Sequence, residues 1–186
     1  MVPEHESVEI AAGWAELERA RNGSEKAWRA LFQQYSPRLL RMAVLMTGSP
    51  DAARDCVQET FVRVLSAVVR DHSGSLRAYL STIVYRLALN ENARQSRQTP
   101  MQASESASPD PSPLDEALAN ERQREVARVI RMLPDHQRDV LILRLHGGHS
   151  YEEIAEMTGV SLGTVKSRIF YAAKSARKEL KNRGAV

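Results

Sequence analysis

Apolar residues recur along this chain at helical intervals, in short stretches separated by polar or glycine-bearing breaks. Val8, Ala11, Ala12, Ala15 and Leu17 mark a first helix over residues 8–21, ended by Arg-Asn-Gly-Ser. Ser24 is placed to cap a second, carrying Ala27, Trp28, Leu31 and Phe32 and then Tyr35. Pro37 can occupy the first turn of a third, followed by Leu39, Leu40, Ala43, Val44 and Met46. Asp51 reads as the cap of the next. There Val57, Phe61, Val64, Leu65 and Val68 form one stripe, while Asp55, Gln58, Glu59 and Val62 line another side. Residues 76–93 repeat the pattern with Leu76, Tyr79, Leu80, Ile83, Val84, Leu87 and Ala88, and residues 114–132 with Leu114, Leu118, Val126, Val129 and Ile130. Pro134 opens a further helix that the Gly147–Gly148 pair closes. No segment alternates convincingly with the period of a strand, so the expected fold is all-α.

Between Gln95 and Pro113 the periodicity disappears into Ser, Pro, Gln and Asp. Such a segment buries too little apolar surface to offset its ordering entropy and reads as a flexible linker. The expected organisation is two small helical domains: residues 1–95, an acidic linker over 96–113, and residues 114–186.

The last domain carries the strongest motif. In "SYEEIAEMTGVSLGTVKSRIFYAAKSARKEL", residues 150–180, Ser150 and Glu153 have capping-box spacing. Ala155 is small where two helices cross, Gly159 supplies the turn between them, and Val160 and Val165 close a small core. Ser161 caps a second helix with the apolar stripe Val165, Ile169, Ala173, Ala176 and Leu180. Its other side offers Ser161, Thr164, Lys166, Ser167, Arg168, Tyr171 and Lys174. This is a helix-turn-helix whose second helix suits the major groove, with hydroxyls and long cations for base edges and phosphates.

Charge placement supports that reading. The net charge is only +3, yet from Ser161 onward there are seven Lys or Arg and one acid, Glu179, whereas residues 99–120 hold four acids and no base. A basic end of this kind fits nucleic acid or an acidic surface. The single cysteine, Cys56, sits in a buried pattern and excludes an intrachain disulfide. No apolar run is long enough to span a bilayer and the acidic N-terminus lacks the basic region of a signal peptide, so no stable membrane insertion and a cytoplasmic location are expected. His136, His146 and His149 cluster in sequence, but two glycines separate the last pair and ordinary turn histidines are expected rather than a metal site. There is no phosphate loop, nucleophile elbow or paired-carboxylate constellation, so neither a cofactor nor an enzyme is expected.

A helix-turn-helix alone does not say what a DNA reader accomplishes. The N-terminal stretches "ERARNGSEKAWRALFQQYSPRLLRMA", "GSPDAARDCVQETFVRV" and "LRAYLSTIVYRLALNENARQSR" resemble the promoter-melting domain of bacterial sigma factors of the extracytoplasmic-function (ECF) group within the sigma-70 family. "LPDHQRDVLILRLHGGHSYEEIAEMTGVSLGTVKSRIFYA" resembles that family's second domain, which reads the −35 element. Together they span nearly all of residues 10–180 in the family's order.

The resemblance implies a factor that binds core RNA polymerase, recognises −35 and −10 promoter DNA and promotes its opening. It assigns Asp51, Asp55, Gln58 and Glu59 to the β′ clamp helices, with the β subunit as a further contact. It assigns the −10 element to Arg77, Tyr79, Arg86, Asn90, Arg94 and Arg97, with a pocket for a flipped base around Asp71 to Ser75. An anti-sigma factor is an implied partner. The sequence departs from the family at Tyr79-Leu80, at Tyr85-Arg86, at Asn90 and in the loop "RDHSGS", all within the −10 reader. The main alternative is a stand-alone helix-turn-helix regulator with an N-terminal sensing or dimerisation lobe.

Overall fold

The computed structural model describes residues 4–66, 74–98 and 121–184, with side chains described for 11–66, 74–97 and 124–184. Among these residues every regular element is a helix: α1 (Glu4–Arg21), α2 (Glu25–Thr47), α3 (Pro50–Ser66), α4 (Leu76–Gln98), α5 (Glu121–Arg131), α6 (Asp135–Leu145), α7 (Tyr151–Thr158) and α8 (Leu162–Asn182). Val68, most of the expected base pocket at 71–75, the linker from residue 99 onward and the first part of the 114–132 helix lie outside the described residues.

The boundaries follow from local chemistry. Ser24 accepts from the Ala27 N–H at 3.3 Å and starts α2, and Gly48 ends it in the left-handed region at φ 71°, donating its N–H to the Val44 carbonyl. The α7–α8 turn repeats the pattern more tightly. Ser150 and Glu153 bond reciprocally at 3.0 and 2.8 Å, Gly159 caps α7 at φ 69°, and Ser161 accepts from Thr164 N–H at 3.2 Å. These side chains satisfy amides that the helix starts would otherwise leave without partners.

Four expectations are corrected. Pro37 does not open a helix; α2 runs through it. Proline removes one hydrogen bond from a helix interior, but Leu31 before it and Leu39, Met42 and Ala43 after it all enter one core, which holds the two halves in line. Asp51 is not the cap of α3, because the Ser49 hydroxyl accepts from Ala52 N–H at 3.3 Å and Pro50 takes the first helical position, leaving Asp51 in the first turn. In α1 the buried positions are Trp14 and Leu17 whereas Ala11, Ala12 and Ala15 are exposed. In α8 the stripe runs through Ala172, fully buried, and not the exposed Ala173. Larger or better-phased side chains decide the buried face, since burial of a large apolar group is worth about 1.5–3 kcal/mol and an alanine far less. Helix α4 also continues to Gln98, past the expected linker start.

Helix α2 is the central strut. It packs on α1, α3 and α4 in the N-terminal lobe and also on α5 and α6 of the C-terminal lobe. Helix α8 closes the C-terminal lobe against α5, α6 and α7. Leu31, Met42, Phe61, Val64 and Leu80 on one side, and Ile130, Ile142, Leu143, Ile154 and Val165 on the other, belong to one contiguous cluster of buried side chains.

Candidate polymerase-docking and DNA-reading surfaces

Three faces concern the expected sites. On α3, Ala53, Val57, Phe61 and Val64 are buried, and the opposite side presents Asp51, Asp55, Gln58 and Glu59. Asp51 pairs with Arg54, and Glu59 with Arg63 at 2.7 Å; both pairs are well exposed. Exposed pairs of this kind hold little energy and release their acids readily to a partner. Beside the row runs an apolar groove of about 720 Å³, lined by Trp28, Phe32, Leu40, Phe61, Val62 and Leu65. Phe32 and Val62 are 43% and 55% exposed there, so the face is amphipathic and not merely acidic.

On α4 the named residues divide. Arg86, Asn90, Arg94 and Arg97 are exposed, and Tyr79 shares the helical phase of Arg86, Asn90 and Arg97. Tyr79 is partly buried and packs on Trp14 with ring centroids 5.4 Å apart, while the Trp14 indole donates to the Gly74 carbonyl at 2.7 Å. Trp14 thus fixes both the tyrosine and the end of the preceding loop, a contribution that sequence reasoning missed. Arg94 is held by Glu91 through two bonds of 2.9 and 3.0 Å, whose charge-assisted contact lowers the Glu91 pKa. Arg77 does not join this group. It leaves the opposite side of α4 and contacts the α6–α7 turn.

On α8, Lys166, Ser167, Tyr171 and Lys174 are exposed, and Thr164 and Arg168 partly so. Ser161 and Thr164 share a hydroxyl contact of 2.8 Å, and Ser167 bonds the Thr164 carbonyl at 3.0 Å. Tyr171 meets Phe170 edge-on at 5.4 Å, and both rings are more than half exposed. Phe170 was not singled out by charge or capping, and its exposure is the signal that reveals it. A neighbouring groove is lined by Lys166, Phe170, Lys174, Arg177, Lys178 and Lys181, a cationic wall with an apolar floor. Phosphate neutralisation and contact with base edges both fit this chemistry.

Of the three histidines, His136 is exposed on α6, and His146 and His149 lie at the α6–α7 turn as expected but are not both open to solvent. His149 is fully buried, with Nδ1 3.4 Å from Glu153 Oε2, and His146 is largely enclosed, where burial and then the Arg41 charge lower its pKa. No group of three or more metal-ligating side chains comes together among the described residues. Cys56 is buried; burial, then Glu91 and Asp55, push its thiol up to about 11, which keeps it protonated. No helix among the described residues is long and apolar enough to cross a membrane.

Two family models match the chain: Sigma-70 region 2 over residues 31–98, and Sigma-70, region 4, over residues 123–175. The first spans the α3 and α4 faces and the second the α8 face, so the N-terminal lobe is not the sensing module of a stand-alone regulator. The ECF RNA polymerase sigma factor SigL of Mycobacterium tuberculosis H37Rv is 31% identical over 161 residues, covering 85% of this chain and 91% of that protein. The ECF RNA polymerase sigma factor EcfG of Rhodopseudomonas palustris TIE-1 is 34% identical over 134 residues, 72% of this chain and 74% of that one. Among solved structures, Bartonella quintana RpoE in complex with the anti-sigma factor NepR superposes with a TM-score of 0.66 at 25% identity, over 84% of this chain and 98% of that one. CnrH in complex with the cytosolic domain of CnrY shares the fold, with a TM-score of 0.64 at 22% identity over 92% and 98%. The chain therefore belongs to the extracytoplasmic-function group of RNA polymerase sigma factors, DNA-binding initiation factors and not enzymes, which recognise promoters and start transcription.

Proposed function

We propose that this sigma factor divides its work among the three faces. Asp51, Asp55, Gln58 and Glu59 of α3 dock on the basic β′ clamp helices of core polymerase, with the adjoining apolar groove adding contact area. Tyr79, Arg86, Asn90, Arg94 and Arg97 of α4 meet the −10 element, where phosphates are tracked by cations and an opened base is offered an aromatic face. Ser161, Thr164, Lys166, Ser167, Arg168, Tyr171 and Lys174 of α8 hold the −35 duplex. Residues 1–95 form the docking and melting domain and 114–186 the −35 domain, with 96–113 between them. The factor acts in the cytoplasm, where the polymerase is, and is held in check by an anti-sigma factor, as the RpoE relative is bound by NepR.

The observation that carries the reading is the opposite sign of the exposed faces: acids on α3, and cations with hydroxyls on α8. Complementary charge steers each face to a different partner. The test is reconstitution with core polymerase, followed by runoff transcription from genomic fragments and permanganate footprinting of the start region. Polymerase-dependent opening of one class of promoter is the expected result. Sequence-specific binding that needs no polymerase, without opening, would overturn it.

A further inference from the structure

Helix α1 lies ahead of the stretch matched by Sigma-70 region 2, and no residue of it belongs to the three faces. It nevertheless packs on both α3, which carries the docking assignment, and α4, which carries the −10 assignment. Arg21, in its last turn, lays its guanidinium on the end of α3, where Nε and Nη2 donate to the Val64 carbonyl at 3.0 and 2.6 Å. That carbonyl is among the last four of α3, which no N–H of their own helix reaches. The cation supplies the missing donors and also meets the negative end of the helix dipole. The Arg21 side chain is only 12% exposed, and its Nη1 is tied to Glu18 at 2.7 Å.

Trp14 stands two turns earlier on the same side of α1. It is buried, its indole donates to the Gly74 carbonyl at 2.7 Å, and its ring packs on Tyr79. Gly74 immediately precedes Ser75, which caps α4 by accepting from the Ala78 N–H at 3.1 Å. Trp14 therefore anchors the backbone at the start of the −10 helix. Gly13 lets α1 come this close, since a Cβ there would lie 3.1 Å from the Tyr35 hydroxyl and 3.3 Å from Leu76 Cβ. Buried Leu17 fills the turn between the two anchors.

We propose that Trp14 and Arg21 are positioning residues for promoter opening. Placed two turns apart on one helix, they hold the end of α3 and the start of α4 at a set separation, and Trp14 fixes the ring of Tyr79. An unstacked base gains most from an aromatic face that is already in place, because a group ordered beforehand loses less freedom on binding. Neither residue touches DNA in this scheme; both act through Val64, Gly74 and Tyr79. The proposal rests on the assignment of Tyr79 and its neighbours on α4 to the −10 element.

The experiment uses the full chain assembled with core polymerase. Trp14→Phe keeps a ring beside Tyr79 and removes the donor to Gly74, whereas Arg21→Gln removes the charged fork on Val64. Each is expected to weaken binding of a single-stranded oligonucleotide bearing a runoff-mapped −10 element roughly 5–10-fold, and to slow permanganate-detected opening to match. Affinity for core polymerase and for the −35 duplex should stay at the parent's value. Leu17→Val loosens the same helix without touching either bond and should leave single-strand binding unchanged. A loss there equal to that of Trp14→Phe overturns the proposal, since α1 would then act only through the stability of the lobe. Parent-like opening in a folded Trp14→Phe or Arg21→Gln chain overturns it as well, and Arg21→Gln decides alone where circular dichroism shows Trp14→Phe misfolded. Arg86→Ala/Asn90→Ala tests the underlying assignment. Undiminished single-strand binding in that variant sinks the −10 role of α4, whereas a loss confined to that variant sinks the positioning alone.

Discussion

Helices α3 and α4 are neighbours in one lobe, but they handle charge differently. In α3 an apolar side enters the core, and the ion pairs of its outer acids, Asp51 with Arg54 and Glu59 with Arg63, stay within the helix. In α4 the polar groups point two ways. Arg86, Asn90 and Arg97 face solvent, while Arg77 and Tyr85 face the second lobe. The first helix is a ready handle; the second is ready only in part. Charge alone does not identify a binding face, because what the charge already touches decides whether it is available.

The largest effect should come from reversing the handle. Asp55→Arg with Glu59→Arg is expected to weaken core-polymerase association by roughly 2–3 kcal/mol, about 100-fold, in biolayer interferometry. Binding to an isolated −35 duplex should stay intact, since neither residue lies on the C-terminal lobe. Equal loss of both activities would mean misfolding and would erase the contrast between the helices.

On the reading helix the expected losses are smaller. Lys166→Ala or Arg168→Ala should each cost roughly 1–3 kcal/mol in −35 binding where the residue meets a base edge. The two differ usefully. Lys166 is exposed, whereas Arg168 is half-buried and its charge lowers the pKa of Asp139, so its loss reaches the α6 carboxyl as well as the DNA contact. Gel-shift titrations against mutated sites separate the roles, because a loss that is uniform over all sequences indicates phosphate contact alone.

The capping network ranks next. Ser150→Ala removes an acceptor for Glu153 N–H and loosens the carboxylate that bonds Ser150 N–H and faces Arg77. Unfolding stability should fall by roughly 1–2 kcal/mol in urea titrations, with polymerase docking unchanged at temperatures where the chain is folded. A fall in docking equal to that of Asp55→Arg/Glu59→Arg would show that the two lobes are not separable.

Signals carried within one or two turns were legible in the sequence. Ser24, the Ser150/Glu153 box, Gly159 and Ser161 all act where their spacing placed them, because a cap needs only its own first turn. Pro37 was misread for the complementary reason: a local break is outweighed when both flanks feed the same core. In α1 the alanines had the right spacing, but Trp14 and Leu17 have the greater surface to bury. The candidate surfaces were legible on α3 and α8, where side chains answer to their own helix. They were not legible at Arg77 and Tyr85, whose partners lie on other elements or in a glycine turn, and nothing in local spacing encodes those meetings.

The smallest effect bears directly on the inward side of α4. Burial first, then the nearby Asp135 charge, raises the Asp139 pKa to about 6 from 3.8, against the lowering influence of Arg138, Arg168 and the Tyr85 hydroxyl. A carboxyl whose folded pKa is raised binds its proton more tightly when folded. Its stabilising contribution is therefore complete below the unfolded value and is lost as pH rises through about 6. Between pH 5 and 7 this group alone should cost the folded chain about 1 kcal/mol. His146 works in the other direction, since its lowered pKa favours the unfolded, protonated form at the acid end. Glu153, held at about 2, stays ionised in the folded chain while its unfolded form begins to take up a proton near pH 5, so it adds a small slope in the same direction as His146. The Asp139 contribution is isolated by subtraction: urea unfolding of the parent and of Asp139→Asn at pH 5, 6 and 7 should give curves that converge at one end and separate at the other. Parallel curves would mean that Asp139 titrates as an ordinary surface carboxylate, and α4 would then face the second lobe no more tightly than α3 faces solvent.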